Sequence, residues 1–282
     1  VKSASIGVPA AKLSARHETS EGNSMSLASR IAAAVLMVAV SAAAAAAKDW
    51  KTVRIGTEGA YPPFNYIEKG ELKGFDIDIA KALCEKLKVT CTFQAQEWDG
   101  IIPALLAGKY DAIVASMSIT DERRKQIAFT DKYYFSTANF TARKESKITD
   151  TSPAALKGKV VGAQSATIHA NFLEDVFAKA GVQVKLYGKQ DEANLDLANG
   201  RLDAVLADKT VQYDWLKSKE GSCCEYVGID YTDPKYFGEG VGIGLRKGDQ
   251  DLVDMFNRAI KEIVLDGTYK KINEKYFPFD IY

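Results

Sequence analysis

At 282 residues the chain has room for one large domain or two. Its 37 basic and 37 acidic side chains cancel. With no basic block or arginine-rich helix, the composition argues against nucleic acid as a main partner.

The first pattern along the chain lies at residues 25–47. A short segment ending in Arg30 leads into an apolar run at 31–40, then Ser41 and six alanines before Lys48. Such a run is too short to cross a bilayer comfortably and the small residues suit a cleavage site, so the stretch reads as a secretory signal peptide. Residues 1–24 show no pattern and read as an upstream extension. Loss of residues 1–47 would remove Lys2, Lys12, Arg16 and Arg30 with Glu18 and Glu21, leaving 33 basic and 35 acidic side chains in a soluble, near-neutral protein.

From residue 51 onward strand and helix patterns alternate: strand 53–57, helix 77–87, strand 90–95, helix 101–107, strand 111–115. That alternation implies α/β units with a mostly parallel sheet. The pattern then restarts with strand 159–163, helix 168–180, strand 182–187, helix 191–199, strand 203–207 and helix 210–217. A weak internal repeat accompanies the restart. Ile55-Gly56-Thr57-Glu58 parallels Val161-Gly162-Ala163-Gln164, and the segment from Ala107 to Ser116 parallels that from Ala198 to Asp208 once one residue is skipped. Two similar Rossmann-like α/β lobes are expected, in which Ser116 and Asp208 are equivalent strand ends while Glu58 and Gln164 begin equivalent loops. Residues 133–143 read as extended chain between the lobes, and 241–245 as a second extended segment. The helices that follow, 250–265 and 269–276, should return to the first lobe. The expected division is 48–135 and 239–282 in one lobe and 138–232 in the other, joined by two strands that act as a hinge.

Export permits disulfides. Cys84 ends a predicted helix and Cys91 begins a predicted strand, so a chain reversal between them would bring the sulfurs together. Cys223 and Cys224 are adjacent; two thiols or a vicinal bond both remain open. A zinc site is not indicated, because one histidine follows residue 47 and no CxxC pair occurs.

That histidine, His169, near a helix start beside Asn171, reads as a surface residue. No GxSxG supplies a nucleophile elbow, and no GxGxxG or P-loop indicates a nucleotide cofactor. No cofactor, metal or catalytic residue is therefore expected. The remaining polar residues suit a small zwitterion. In open α/β sheets ligands bind beyond the carboxyl ends of strands, and residues 98–124 place a helix, a buried strand and then a polar loop there. Arg123 can clasp a carboxylate bidentately. Ser116, Ser118 and Thr167 offer hydroxyl and backbone donors near helix starts. Asp208 offers an acceptor for an ammonium group, unless it caps the helix that follows. Tyr61 and Trp98 can stack on a side chain or a guanidinium, and Glu58 can pair a distal positive charge.

At these residues the sequence resembles the periplasmic solute-binding proteins (family 3) of polar amino-acid ABC transporters, of the lysine, arginine, ornithine, histidine and opine-binding type. The likeness is carried by TVRIGTEGAYPPFN (52–65), GFDIDIAKALCEKLKVTC (74–91), DAIVASMSITDERR (111–124), GRLDAVLAD (200–208), KYFGEGVGIGLRKGD (235–249) and KYFPFDIY (275–282). The resemblance implies a type II periplasmic binding protein, two lobes closing on one amino acid. It assigns Arg123 to the ligand α-carboxylate with help from Ser118 and Thr167, Asp208 to the α-ammonium, and Tyr61 and Trp98 to the two faces of the side chain. The position of Glu58 is acidic in relatives that take basic amino acids, and the family disulfide falls on Cys84 and Cys91. Two departures stand out: relatives often carry two serines where this chain has Ala115-Ser116, and the loop at 164–167 is one residue shorter than the usual Gly-Ser-Thr type.

The expected function is capture of a basic amino acid in the periplasm, arginine first, and delivery by a monomer to an inner-membrane ABC permease. Ornithine, lysine, histidine or an opine are the alternatives within that class. The alternative from another class is an exported enzyme on the same fold, such as a cyclohexadienyl dehydratase-like lyase, for which Glu58 is the one candidate acid or base. The sensor domain of a receptor is a more distant third.

Overall fold

A computed structural model describes residues 48–282; the expected extension and signal peptide lie outside them. Strand β1 (Thr52–Thr57) buries its C-terminal half and leads through a small antiparallel sheet, β2 (Ala60–Tyr61), β3 (Asn65–Glu68) and β4 (Glu71–Lys73), into helix α1 (Phe75–Leu87). Phe75, Ile79, Ala80 and Leu83 line the buried face of α1, and Lys88 closes it in the left-handed conformation. The chain reverses into β5 (Thr90–Ala95), and Cys84 and Cys91 form the expected disulfide. Helix α2 (Ile101–Leu106) and β6 (Ala112–Ile113) follow, then the one-turn helix α3 (Asp121–Arg124) and β7 (Ala128–Tyr134).

The first sheet has the order β5-β1-β6 and then, beyond β6, a strand from the chain's last third and finally β7. That returning strand is β13. Before it the chain builds a second sheet from β8 (Ala138–Arg143), β9 (Val160–Gln164), β10 (Gln183–Tyr187), β11 (Ala204–Asp208) and β12 (Cys224–Tyr231) in the order β10-β9-β11-β8-β12. Helix α4 (Ile168–Phe172) follows β9, α5 (Gln190–Ala198) follows β10, α6 (Lys209–Trp215) follows β11 and α7 (Pro234–Phe237) follows β12. Then β13 (Val241–Leu245) rejoins the first sheet, followed by α8 (Gln250–Leu265) and α9 (Thr268–Tyr276). Leu252, Val253, Phe256, Ala259, Ile260 and Ile263 recur at helical spacing on α8 and are all buried against the first sheet's core. Each of these side chains other than Ala259 contributes about 1.5–3 kcal/mol on burial.

Both sheets are mixed rather than mostly parallel. In the first, β1 runs parallel to β5 and β6, but β13 is antiparallel to β6 and β7. In the second, β9 is parallel to β10 and β11, but β8 is antiparallel to β11 and β12. The antiparallel members are the strands next to the crossings between sheets. The stretch 133–143 is accordingly two strands, with the chain passing from sheet to sheet at 135–137. The C-terminal residues lie over that crossing: the Phe135 N–H donates to the Ile281 carbonyl at 2.7 Å, and Phe279 meets Tyr213 of α6 edge to face at 5.0 Å.

The internal repeat is structural. Ile55 and Gly56 pair with Ala112 and Ile113 as Val161 and Gly162 pair with Ala204 and Val205. A Cβ on Gly56 would lie 2.5 Å from the Tyr110 ring, and one on Gly162 would lie 2.5 Å from Leu202, so glycine at both admits the large side chain that precedes the neighbouring strand. The Asp111 carboxylate accepts from the Arg54 N–H and the Asp203 carboxylate from the Val160 N–H, at 3.1 and 2.8 Å.

Other expectations were coarser than the outcome. Strand 111–115 ladders over two residues, because Ser116, at φ 53°, turns the chain out of the sheet. The expected helix 168–180 begins as α4, widens to a π turn at Leu173–Phe177 and tightens at Ala178–Ala180 before Gly181.

Candidate functional site

The carboxyl ends of β1, β6, β9 and β11 point into the space between the two sheets, where the ends of parallel strands leave backbone groups unladdered. All eight expected residues, Glu58, Tyr61, Trp98, Ser116, Ser118, Arg123, Thr167 and Asp208, line one small cavity there, together with Ala115, Gln164, Ile168 and His169.

Four contacts join the first sheet's side to the second's, two of them between cavity-lining residues. Gln164 Nε2 donates to Glu58 Oε1 at 2.6 Å, and the Tyr61 hydroxyl donates to Asp208 Oδ2 at 2.7 Å. Trp98 Nε1 donates to the Ala166 carbonyl at 3.1 Å, and Ser165 Oγ donates to Asp99 Oδ1 at 2.9 Å. The two halves are therefore closed on each other.

Glu58 follows β1 and is buried. Burial pushes its carboxyl up to about 7; Glu97 and Asp191 push the same way, while the Gln164 amide and Lys189 hold it back. Burial beside Asp208 likewise raises the Tyr61 phenol well above its ordinary value, so it stays a hydrogen-bond donor. Arg123 is fixed by Thr120, whose hydroxyl accepts from the Arg123 N–H, and by a hydrogen bond from its own guanidinium to the Ser118 carbonyl at 3.0 Å. Its guanidinium lies over the Trp98 ring at 5.3 Å. Burial lowers it to about 10, against the pull of Asp208 and Tyr61, which leaves it cationic at neutral pH.

Asp208 precedes α6 in the capping position but makes no cap hydrogen bond; its carboxylate turns to Tyr61 and into the cavity. Thr167 does cap, accepting from the Ala170 N–H at 3.1 Å while its hydroxyl donates to the Gln164 carbonyl at 2.7 Å. Ser116 lines the cavity, yet its hydroxyl donates away from it, to Asp76 Oδ2 at 3.0 Å.

Three further residues bear on the site. Asp76 is buried behind Ser116 and collects hydrogen bonds from Asn65, Ser116 and Tyr133; burial pushes its carboxyl up to about 6 against those donors. Gln164 was placed at the cleft by the repeat alone. His169 is the plain correction: it is buried, not on the surface, and its Nε2 lies 3.5 Å from Asp208 Oδ1. Ile168 and Ala170 on either side are buried as well, so this face of α4 packs inward. Cys223 and Cys224 are free thiols with sulfurs 2.8 Å apart, remote from the cavity-lining residues in sequence and absent from its wall.

A cavity lined by one guanidinium, two carboxylates and the Tyr61 and Trp98 rings has the chemistry to hold a small charged molecule. A family model for bacterial extracellular solute-binding proteins, family 3, matches residues 53–279. The chain belongs to that family. This solute-binding protein is similar to the L-arginine-binding protein of Pseudomonas aeruginosa, 48% identical over 234 residues that cover 82% of this chain and 90% of the relative. It is also similar to the lysine/arginine/ornithine-binding periplasmic protein of Escherichia coli, 42% identical over 255 residues, 89% of this chain and 98% of the other. Among solved structures it matches an ancestral arginine-binding protein bound to arginine, with TM-score 0.74 and 40% identity over 80% of this chain and 98% of that one. The fold is that of the type II periplasmic binding proteins, as the two-sheet architecture indicates.

Proposed function

We propose that this solute-binding protein captures a basic amino acid, arginine in preference, between its lobes and delivers it to an ABC permease. The observation that carries the proposal is the charge inventory of the cavity: Glu58 and Asp208 are anionic sites, Arg123 is the cationic one, and all three line one wall or another of it. Arginine is the mirror image, with two cations and one carboxylate. In this assignment Arg123 clasps the α-carboxylate with Ser118 and Thr167 beside it, Asp208 takes the α-ammonium, and Glu58 pairs the distal guanidinium between Tyr61 and Trp98. Relatives named for arginine and for lysine, arginine and ornithine support the ligand class and the permease partner, and favour a receptor over an enzyme. Lobes 48–135 with 239–282 and 138–232 close about the two crossings, and the closed form is the one that docks, a population shift driven by the ligand's differential affinity. The protein acts as a periplasmic monomer after loss of residues 25–47 with whatever precedes them.

The test is isothermal titration of protein unfolded and refolded to strip carried ligand, against arginine, ornithine, lysine, histidine and glutamine. Tight one-to-one binding of arginine, lost at least a hundredfold in Arg123→Ala for every ligand, is expected. Preference for glutamine over all the cationic amino acids would overturn the assignment of Glu58.

A further inference from the structure

We propose that His169 is a positioning residue of the ligand site, sharing the Asp208 carboxylate with the ligand's α-ammonium group, so that proton uptake by the imidazole releases the ligand. The geometry is specific. Asp208 presents two oxygens: Oδ2 accepts the Tyr61 hydroxyl at 2.7 Å, and Oδ1 faces His169 Nε2 at 3.5 Å. That separation is too long for a hydrogen bond and short enough for an ion pair once the ring is charged. His169 is 3% exposed, lines the ligand cavity, and its Nε2 has no hydrogen-bond partner. Buried polar atoms are rarely left so, and this one is aimed at the acceptor that the ammonium group needs.

The surroundings leave Asp208 as the group that answers to the imidazole. Helix α7, packed on α4, brings the Phe237 ring to 6.0 Å and carries Lys235, with Asp233 as its cap. Strand β9 contributes Gln164, and the π turn after α4 carries Glu174 and Asp175. From the first lobe, Tyr61, Tyr134 and Arg123 act on Asp208. Among the described residues, Asp208 is the one carboxylate within 4.0 Å of a His169 nitrogen.

Histidine is the side chain whose charge ordinarily changes between pH 5 and 8. While it is neutral, Asp208 Oδ1 is left to accept from the ammonium group. Once it is charged, the imidazolium occupies Oδ1 and offers the incoming ammonium a like charge. Proton and ligand then compete, and linkage allows up to about a tenfold loss of affinity per pH unit below the imidazole midpoint. The coupling is reciprocal: bound ligand must make the imidazole harder to protonate.

The test follows from that reciprocity, and rests on the arginine-binding function proposed above. The chain has two histidines, His17 and His169, so full-length His17→Asn shows His169 as its single imidazole resonance. That resonance is titrated by NMR from pH 5 to 8 without ligand and with saturating arginine. A midpoint lowered by at least half a pH unit with arginine is expected; an unchanged or raised midpoint overturns the inference. In parallel, arginine affinity is measured at pH 8 and pH 5.5 in wild type and His169→Gln. Because Glu58 titrates in both proteins, its share cancels, and the wild type should lose about threefold to tenfold more than the variant. Equal losses would again overturn the role of His169. Failure of the wild type to bind arginine at pH 8 would instead overturn the function, and if His169→Gln does not fold, the NMR titration decides alone.

Discussion

Glu58 should cost the ligand-free protein stability in return for ligand charge complementarity, and Glu58→Gln should show it. The carboxyl sits at about 7 against an ordinary 4.5, chiefly through burial, a gap equivalent to about 3 kcal/mol. Between those values the folded protein holds a proton that the unfolded chain has given up. Stability from this group is therefore fully present below about pH 4.5 and is lost as pH rises through about 7. The amide of Gln stays neutral throughout and its oxygen can still accept from Gln164 Nε2. Ligand-free Glu58→Gln should exceed the wild type by about 1 kcal/mol at pH 5 and by about 3 kcal/mol at pH 8, the latter roughly 6–12 °C in Tm for a protein of this size. Denaturant unfolding of both proteins at the two pH values measures the double difference, in which every other titrating group cancels. If the gap between the two proteins is the same at pH 5 and pH 8, Glu58 is not a strained buried carboxylate. The same variant should lose more affinity for arginine than for glutamine at pH 8, because only arginine brings a distal cation to offset the charge of Glu58.

Tyr61→Phe removes the donor to Asp208 that exists when the lobes are closed. Hydrogen bonds to charged groups are worth about 1.5–3 kcal/mol, so arginine affinity by titration calorimetry should fall roughly ten- to hundredfold, and an unchanged affinity would remove this contact from closure. Replacing both Cys84 and Cys91 by alanine opens a crosslink spanning seven positions; a loss of roughly 2–3 kcal/mol is expected from chain entropy, read by denaturant unfolding under non-reducing conditions, and no loss would mean that the local turn is held without it.

Much of the scaffold was legible because burial and periodicity coincide. Strand β11 is buried at every position, and α8 keeps its apolar residues on one face, so neither had a competing reading. The small sheet β2–β4 was illegible: its strands are two to four residues long, partly exposed, and separated by turns around Pro62-Pro63 and Lys69-Gly70. The residues that line the cavity were legible by chemistry, since an arginine, two carboxylates and two aromatic rings near the ends of strands have few other uses together. What failed was direction. Asp76 looks like an ordinary acidic residue in a helix's first turn, yet it is buried and collects three donors from distant parts of the chain. His169 lies two residues after a cap, and whether that turn faces solvent or cleft is decided by Asp208 and Phe237, which arrive from 39 and 68 positions further along the chain.

The matching registers of β1 with β6 and of β9 with β11 make Glu58 the counterpart of Gln164, and Ser116 that of Asp208. Duplicate walls bearing duplicate side chains would grip a zwitterion equally well in either direction. These walls have lost that symmetry: one position is acidic where its twin is an amide, and the other is a hydroxyl where its twin is acidic. The polarity of the cleft is thus written in the differences between two copies of one scaffold, and a ligand with unlike ends has a single way to lie in it.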